Sequence, residues 1–244
     1  MKKIFAILFG YLSLCLVLAF GDIIFIKKKS GGTPETITFT LLDTVVSYGS
    51  ATANIDGSTS TSGDDLFLFI AIVESNSLSS ISDGGFSLVT SQDNPTGSVS
   101  PDVYLYHKVA TGSESSTITI TVGSASPINA QLIEVGGTDT TTRTTSSDEV
   151  DANDFTLTGV TVPTDGAAIQ FAACYDDPWA SYPAGNYPPS GTTNLSRFDN
   201  SDTGVYGTYI TYVYSDGATG NIFYDTNGYR RWAGIHLTVE AGTL

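Results

Sequence analysis

The residues able to do chemistry are few and unevenly placed. The chain of 244 residues holds two histidines, His107 and His236. Neither belongs to a His-Glu-x-x-His motif, and the chain has no Gly-x-Ser-x-Gly elbow or phosphate loop. His107 alternates with Leu105 and Val109, which predicts a packed or half-buried ring. His236 shares a strand face with Thr238 and Glu240, which predicts a ring facing solvent. Cys174 lies in the apolar run AAIQFAACY with no histidine near it in sequence, so it reads as a small buried side chain rather than a nucleophile. Cys15, the only other cysteine, lies in the hydrophobic N-terminus, so the body has no structural disulfide.

Carboxylates are plentiful, and two chemistries could use them. Glycoside hydrolysis needs a pair at a set separation, one with a raised pKa. Glu74 and Glu134 close buried strands, and Asp176 and Asp177 open a loop, a placement that ordinary turn chemistry also explains. A polysaccharide-active enzyme is thus the third reading. Calcium is the cofactor this composition allows: SSDEVDAND (146–154) packs Asp148, Glu149, Asp151 and Asp154 into an acidic loop, and DNSDTG (199–204) adds Asp199 and Asp202. Neither has EF-hand spacing, since a start at Asp148 puts Val150 at the third position and a start at Asp199 puts Ile210 where Glu belongs.

The other chemistry-bearing feature is aromatic. Nine of the thirteen tyrosines and both tryptophans fall between positions 175 and 232. The stretch YDDPWASYPAGNYPPSGTTNLSRFDN (175–200) carries four of the nine prolines, which excludes a helix or a central strand and makes it a long loop. Rings stack on sugar faces, and neighbouring Asp or Asn groups take the hydroxyls. Trp179, Tyr182 and Tyr187 with Asp176, Asp177 and Asn186 therefore form a candidate glycan platform. The bland alternative is that these rings cover a sheet edge and block strand pairing between molecules. Along VYGTYITYVYS, Tyr206, Tyr212 and Tyr214 share one strand face and Tyr209 takes the other.

These groups need a scaffold, and the composition says which. Gly, Ser, Thr and β-branched residues dominate, and no stretch beyond the N-terminus has helical periodicity with caps; this is an all-β chain. Its formal net charge is −15, and half of the ten basic residues lie within the first 29 positions. A body this acidic repels phosphate backbones, so nucleic acid is not an expected partner. The first 29 residues form a secretory signal or membrane anchor, with a hydrophobic helix expected over residues 4–26 that spans the membrane if uncleaved. Residues 30–36 are a linker, and residues 37–244 a β-sandwich domain outside the cytoplasm.

Strand-like runs recur along the body, and SDG (215–217) and TNG (226–228) are hairpin turn signals. An approximate two-fold repeat is more informative. GFSLVTSQDN (85–94) and GTTNLSRFDN (191–200) match in their terminal residues, each follows an Asp and a buried strand, and each precedes a tyrosine-bearing strand. Two four-stranded halves suggest a two-sheet β-sandwich of jelly-roll type.

In order, GDDLFLFIAIVES, DGGFSLVTSQDN, VYLYHKVATGSESSTITITV, LIEVGGTD, YPPSGTTNLSRFDN and RRWAGIHLTV resemble a broad set of β-sandwich modules of secreted bacterial proteins and phage structural proteins. The resemblance spans roughly residues 60–240. Phe86 stands where that pattern has tryptophan, His107 where it has tyrosine or tryptophan, and Thr192 where it has methionine. It implies a fold and a surface, adhesive or virion location, and no catalytic residues. The expectation is a non-enzymatic extracellular recognition or adhesion module, with a glycan or cell-surface polymer as partner. The alternative is a structural protomer of a virion, pilus-like filament or surface layer, whose partners are copies of itself.

Overall fold

The structure, a computed structural model, describes residues 15–19, 22–26, 34–73, 76–92, 101–139, 145–175, 189, 191–198, 207–214, 217–219 and 221–242. Among them every regular element is a strand. In the N-terminal segment β1 (Cys15–Ala19) pairs antiparallel with β2 (Asp22–Ile26). The helix expected there is not among the described elements, and among the described residues no helix is long and apolar enough to cross a membrane.

The body follows as β3 (Thr38–Ile55), β4 (Asp65–Val73), β5 (Leu78–Ile81), β6 (Ser87–Gln92), β7 (Pro101–Val109), β8 (Ile118–Gly136) and β9 (Thr138–Asp139). It continues with β10 (Thr145–Leu157), β11 (Thr161–Val162), β12 (Ala167–Tyr175), β13 (Thr193–Phe198), β14 (Gly207–Tyr214), β15 (Gly217–Ala218) and β16 (Ile222–Ala241). One sheet has the order β3-β8-β4-β7-β6, with β5 also on β8. The other has β10-β16-β12-β14-β13, with β9 also on β16, and β11 pairs with β15 apart from both.

Each sheet is thus drawn from one half of the chain, and the two orders are the same. Consecutive strands stay within one sheet, a wiring distinct from the jelly roll's alternation between sheets. The repeat extends to the irregularities. The register of β6 on β7 slips between Leu88 and Thr90, and that of β13 on β14 between Asn194 and Ser196. Both slips fall at the same place in the matched decapeptides. Along β8 the step from Thr121 to Ser126 faces only Thr52 to Ser50 on β3. Along β16 the step from Asp225 to Arg230 faces only Asp154 to Ala152 on β10. The TNG expected to turn a hairpin is therefore the extra length of a bulge inside a continuous strand. A bulge bends its strand, and here it carries the far arms of β3, β8, β10 and β16 away from the plane of the central strands.

Two cores result. Between the sheets lie Phe67, Phe69, Ala71, Leu105 and Ile133 from one half and Ile169, Phe171, Ala173, Ile210 and Ile235 from the other. Alternation puts the remaining side chains of the same strands on the outer faces, which are buried too. In the first half Leu66, Leu68 and Ile70 of β4 pack with Ile55, Ile118 and Ile120 of the folded-back arms. In the second, Phe155, Leu157 and Ile222 pack with Cys174, Tyr209 and Trp232. That is why β4 reads DLFLFIAIV, apolar without alternation. Matching the registers makes Phe69 the counterpart of Phe171, and their rings meet 5.3 Å apart, as equivalent residues do across a two-fold axis. The sandwich is an intramolecular pseudo-dimer.

Candidate functional site

At one end of the sandwich the segment entering each half crosses to the opposite sheet, giving two equivalent seams. The registers make Ile37 the counterpart of Thr138, Asp65 of Ala167, His107 of Tyr212 and Val109 of Tyr214.

At the first seam Thr138 meets β4 and β7. Asp65 is fully buried; its Oδ1 lies 2.5 Å from His107 Nε2, and its Oδ2 accepts Thr138 Oγ1 at 2.5 Å. The His107 ring packs 5.1 Å from Phe67 with its side chain 12% exposed, which agrees with the half-buried ring expected. A carboxylate taken out of water needs such donors. The three groups do not form a nucleophile–base–orienter relay, because the hydroxyl donates to the carboxylate rather than lying on the imidazole.

At the second seam Ile37 meets β14, and rings replace the polar knot. Phe39 packs 4.3 Å from Tyr212 and 5.8 Å from Tyr214, and the two tyrosines meet edge to face at 5.6 Å. The Tyr214 hydroxyl donates to the Ile37 carbonyl at 2.9 Å, which fixes the ring, yet the residue is 56% exposed. Partial burial, and then the neighbouring Tyr212, raise the Tyr214 hydroxyl above the usual phenol range. Beside this ledge lies an open groove of about 550 Å³ lined by Pro34, Glu35, Thr36, Ile37, Asp165, Gly166 and Tyr214.

The local sequence builds the groove walls. Glu35 N donates to Gly242 O at 3.0 Å, tying the entering segment to the end of β16. Across the groove, the turn into β12 closes with Gly166 N on Pro163 O at 3.0 Å. A Cβ at Gly166 would lie 2.7 Å from Val239 O and 2.8 Å from Pro163 O, so only glycine fits there. Asp165 is the only described non-glycine residue with a positive φ, at 60°, a conformation Asp tolerates better than most residues.

A third cluster lies on the first half alone. The Glu114 carboxylate accepts Ser60 Oγ at 2.5 Å, Thr111 N at 2.7 Å, Thr111 Oγ1 at 2.8 Å and Gly112 N at 3.0 Å. Lys108 Nζ lies 3.4 Å from it and 3.0 Å from Asp83, with the ring of Phe86 below. Burial alone would raise the Glu114 carboxyl, but the bonds from Ser60 and Thr111 outweigh it and hold the group well below the usual carboxylate range.

Several expected site residues fall elsewhere. Trp179, Tyr182, Tyr187, Asp176, Asp177 and Asn186 lie outside the described residues. The chain leaves the sheet at Tyr175, at the end remote from Tyr214, and re-enters at Thr193, which pairs with Tyr212. Asp148, Glu149, Asp151 and Asp154 lie in strand β10, paired with Gly234, Ala233, Arg231 and Asp225, instead of in the expected loop. The bulged end of β16 gives that segment a full-length partner. Among the described residues no three His, Cys, Asp or Glu side chains form a group able to hold a metal.

His236, expected to face solvent, is fully buried. Its Nδ1 lies 3.0 Å from Thr158 O and its Nε2 2.9 Å from Gln170 Nε2, while Gln170 Oε1 accepts Thr211 Oγ1 at 2.9 Å. The amide must donate to Nε2, so the ring is neutral with its proton on Nδ1. As expected, Tyr209 takes the face opposite Tyr212 and Tyr214; it is buried against Trp232. The seams themselves went unread, because Tyr214 and Ile37 are 177 positions apart.

The described residues define an all-β protein with antiparallel sheets stacked as a β-sandwich. No family model matches the chain, no curated protein matches it, and no solved structure matches it.

Proposed function

We propose that this chain is a non-enzymatic extracellular recognition or adhesion module, and that the groove beside Tyr214 binds a glycan. The observation that supports it is the contrast between two equivalent seams. The fold closes one with hydrogen bonds, yet at the other it holds an exposed ring beside an open groove with carboxylates on its walls. A ring whose hydroxyl is already bonded loses little freedom when a ligand stacks on it. Ring faces with convergent polar groups are what a sugar needs.

In this reading residues 4–26 form a helix that directs the body out of the cytoplasm and is then removed or retained as an anchor. Trp179, Tyr182 and Tyr187 extend the same stacking surface, and Asp148 with its neighbours is the candidate calcium clip. The resemblance to secreted and virion β-sandwich modules points the same way. A glycan array probed with the full chain tests the reading: binding should be lost in Tyr214→Ala while the chain stays folded. Binding that Tyr214→Ala leaves intact would remove the groove from the proposal.

One observation favours assembly as a second reading. β3 is an edge strand of eighteen residues with a single charged side chain, Asp43. Long edges with few charges invite strand addition. Regular oligomers of the purified chain under electron microscopy would support that role, and a strictly monomeric chain would exclude it.

A further inference from the structure

Resting on the reading of the Tyr214 groove as a saccharide site, we infer that its ligand is a polymer of cationic amino sugars, glucosamine-like units with free amines, rather than a neutral or N-acetylated glycan. The groove sets two carboxylates, Glu35 and Asp165, beside the ledge, and among the described residues no lysine, arginine or histidine lines it. More negative charge lies nearby. Asp64 is held above the usual carboxylate range by burial first, and then by the charges of Glu134, Asp65 and Glu35. These acids therefore feel one another around the entering segment. A neutral sugar leaves that repulsion in place, whereas an ammonium group relieves it and gains charge-assisted hydrogen bonds.

The shape argues for sugar over a basic peptide. The groove is shallow and open, and its one projecting apolar feature is a ring pinned through its own hydroxyl. Such a ring offers a flat face for a pyranose, whose axial C–H groups meet the π cloud while ring amines reach outward to carboxylates. The counterpart position in the other seam is Val109, and there a histidine fills the place of Tyr212. The acidic aromatic groove is thus not something the repeat imposes on both halves.

The test is calorimetric titration of the full chain with three soluble oligomers of equal length: glucosamine, N-acetylglucosamine and cellulose-type glucose. The glucosamine oligomer should bind roughly tenfold tighter at low salt, as expected of two partly exposed charge pairs. That margin should shrink as salt rises or as the amine is deprotonated at higher pH. Glu35→Gln and Asp165→Asn should remove the margin while weak binding of the neutral oligomers survives. Asparagine is chosen because it accepts the left-handed backbone of position 165. Tyr214→Ala should abolish binding of all three. Equal affinity for the three oligomers, or a margin indifferent to salt and to both amide variants, would overturn the amino-sugar inference and leave the groove as a general sugar site. Failure of every oligomer to bind would sink the saccharide reading itself. Polylysine binding as tightly as the glucosamine oligomer, and lost in the same variants, would make the occupant a basic polypeptide.

Discussion

The two halves of this chain share a strand order, two register slips and a central pair of phenylalanines, and they differ most where they carry charge. In the first half Asp65, His107, Lys108 and Glu114 are tied into hydrogen bonds and ion pairs at the end of the sheet. The register counterparts of the first three are Ala167, Tyr212 and Val213, and Thr219 stands in the place of Glu114 two positions after the matched turn glycine. On the outer face the contrast reverses. Leu68, Tyr106 and Leu132 of the first half stand where the second has Gln170, Thr211 and His236. One backbone plan therefore tolerates either chemistry at each place. What both halves keep is the work of the fold, namely apolar inner faces, bulges and glycine turns. What only one half has needs another explanation, and the groove beside Tyr214 belongs to that class.

The contrast can be broken most severely at the point of greatest likeness. Phe69→Ala and Phe171→Ala each remove a buried ring from the pseudo-two-fold centre, and each should lower stability by about 3–5 kcal/mol. Chemical denaturation should show similar losses for the two variants, because the two rings meet each other in equivalent settings. The double variant should lose less than the sum, since residues in contact couple. Unequal single losses with full additivity would deny the symmetry of the core.

A smaller effect tests the charged half. Glu114→Gln exchanges an anion that collects four hydrogen bonds and a nearby ammonium for a neutral amide, at a cost of about 1.5–3 kcal/mol. Because the folded group ionises below its unfolded value, its contribution is complete above the ordinary carboxylate range and drains away as pH falls below it. The gap between wild type and variant should therefore be widest near neutrality and narrow in acid. Thr219→Ala, at the corresponding place, should show no such pH dependence.

The buried polar cluster of the second half offers a converse test. Gln170→Leu alone strands the His236 ring and the Thr211 hydroxyl, costing about 1–3 kcal/mol. Adding His236→Leu restores the pairing of leucines found in the first half and should recover much of that loss. If the double variant is worse than Gln170→Leu, the outer faces of the halves are not interchangeable.

How much of this the sequence disclosed depends on distance along the chain. Alternation in STITITV and the unbroken apolar run of β4 are local facts, and they led directly to strands. The matched decapeptides were enough to reveal the repeat, and they land on β6 and β13 with the same register slip. His236 misled because its neighbours Thr238 and Glu240 are polar. Its burial comes from the chain around Thr158, which no periodicity in β16 reveals. TNG misled because a bulge and a hairpin turn draw on the same residues. The acidic run of β10 looked like a loop because its extended state depends on pairing with β16 nearly eighty positions away. The groove was beyond reach, since its walls come from residues 34–37, 165–166 and 214. Only the placement of Tyr212 and Tyr214 on one face was visible beforehand.

The smallest predicted effect probes the field around the entering segment. Asp64 sits next to the buried Asp65 and shares its surroundings with Glu134 and Glu35, so burial and three like charges push its proton affinity up. A carboxyl whose folded pKa exceeds its unfolded one binds more protons in the native state, and stability falls as pH rises through that interval. At neutral pH Asp64 is therefore a net cost, reduced by solvent because the group is only partly buried. Asp64→Asn should raise stability by a few tenths of a kcal/mol at pH 7 and by nothing once both forms are protonated in acid. No counterpart effect is expected at Gly166, which holds the equivalent position in the second half. A gain that persists unchanged into acid would mean that shape rather than charge sets the energy at this seam. The negative field invoked to recruit an amino sugar would then have to come from Glu35 and Asp165 alone.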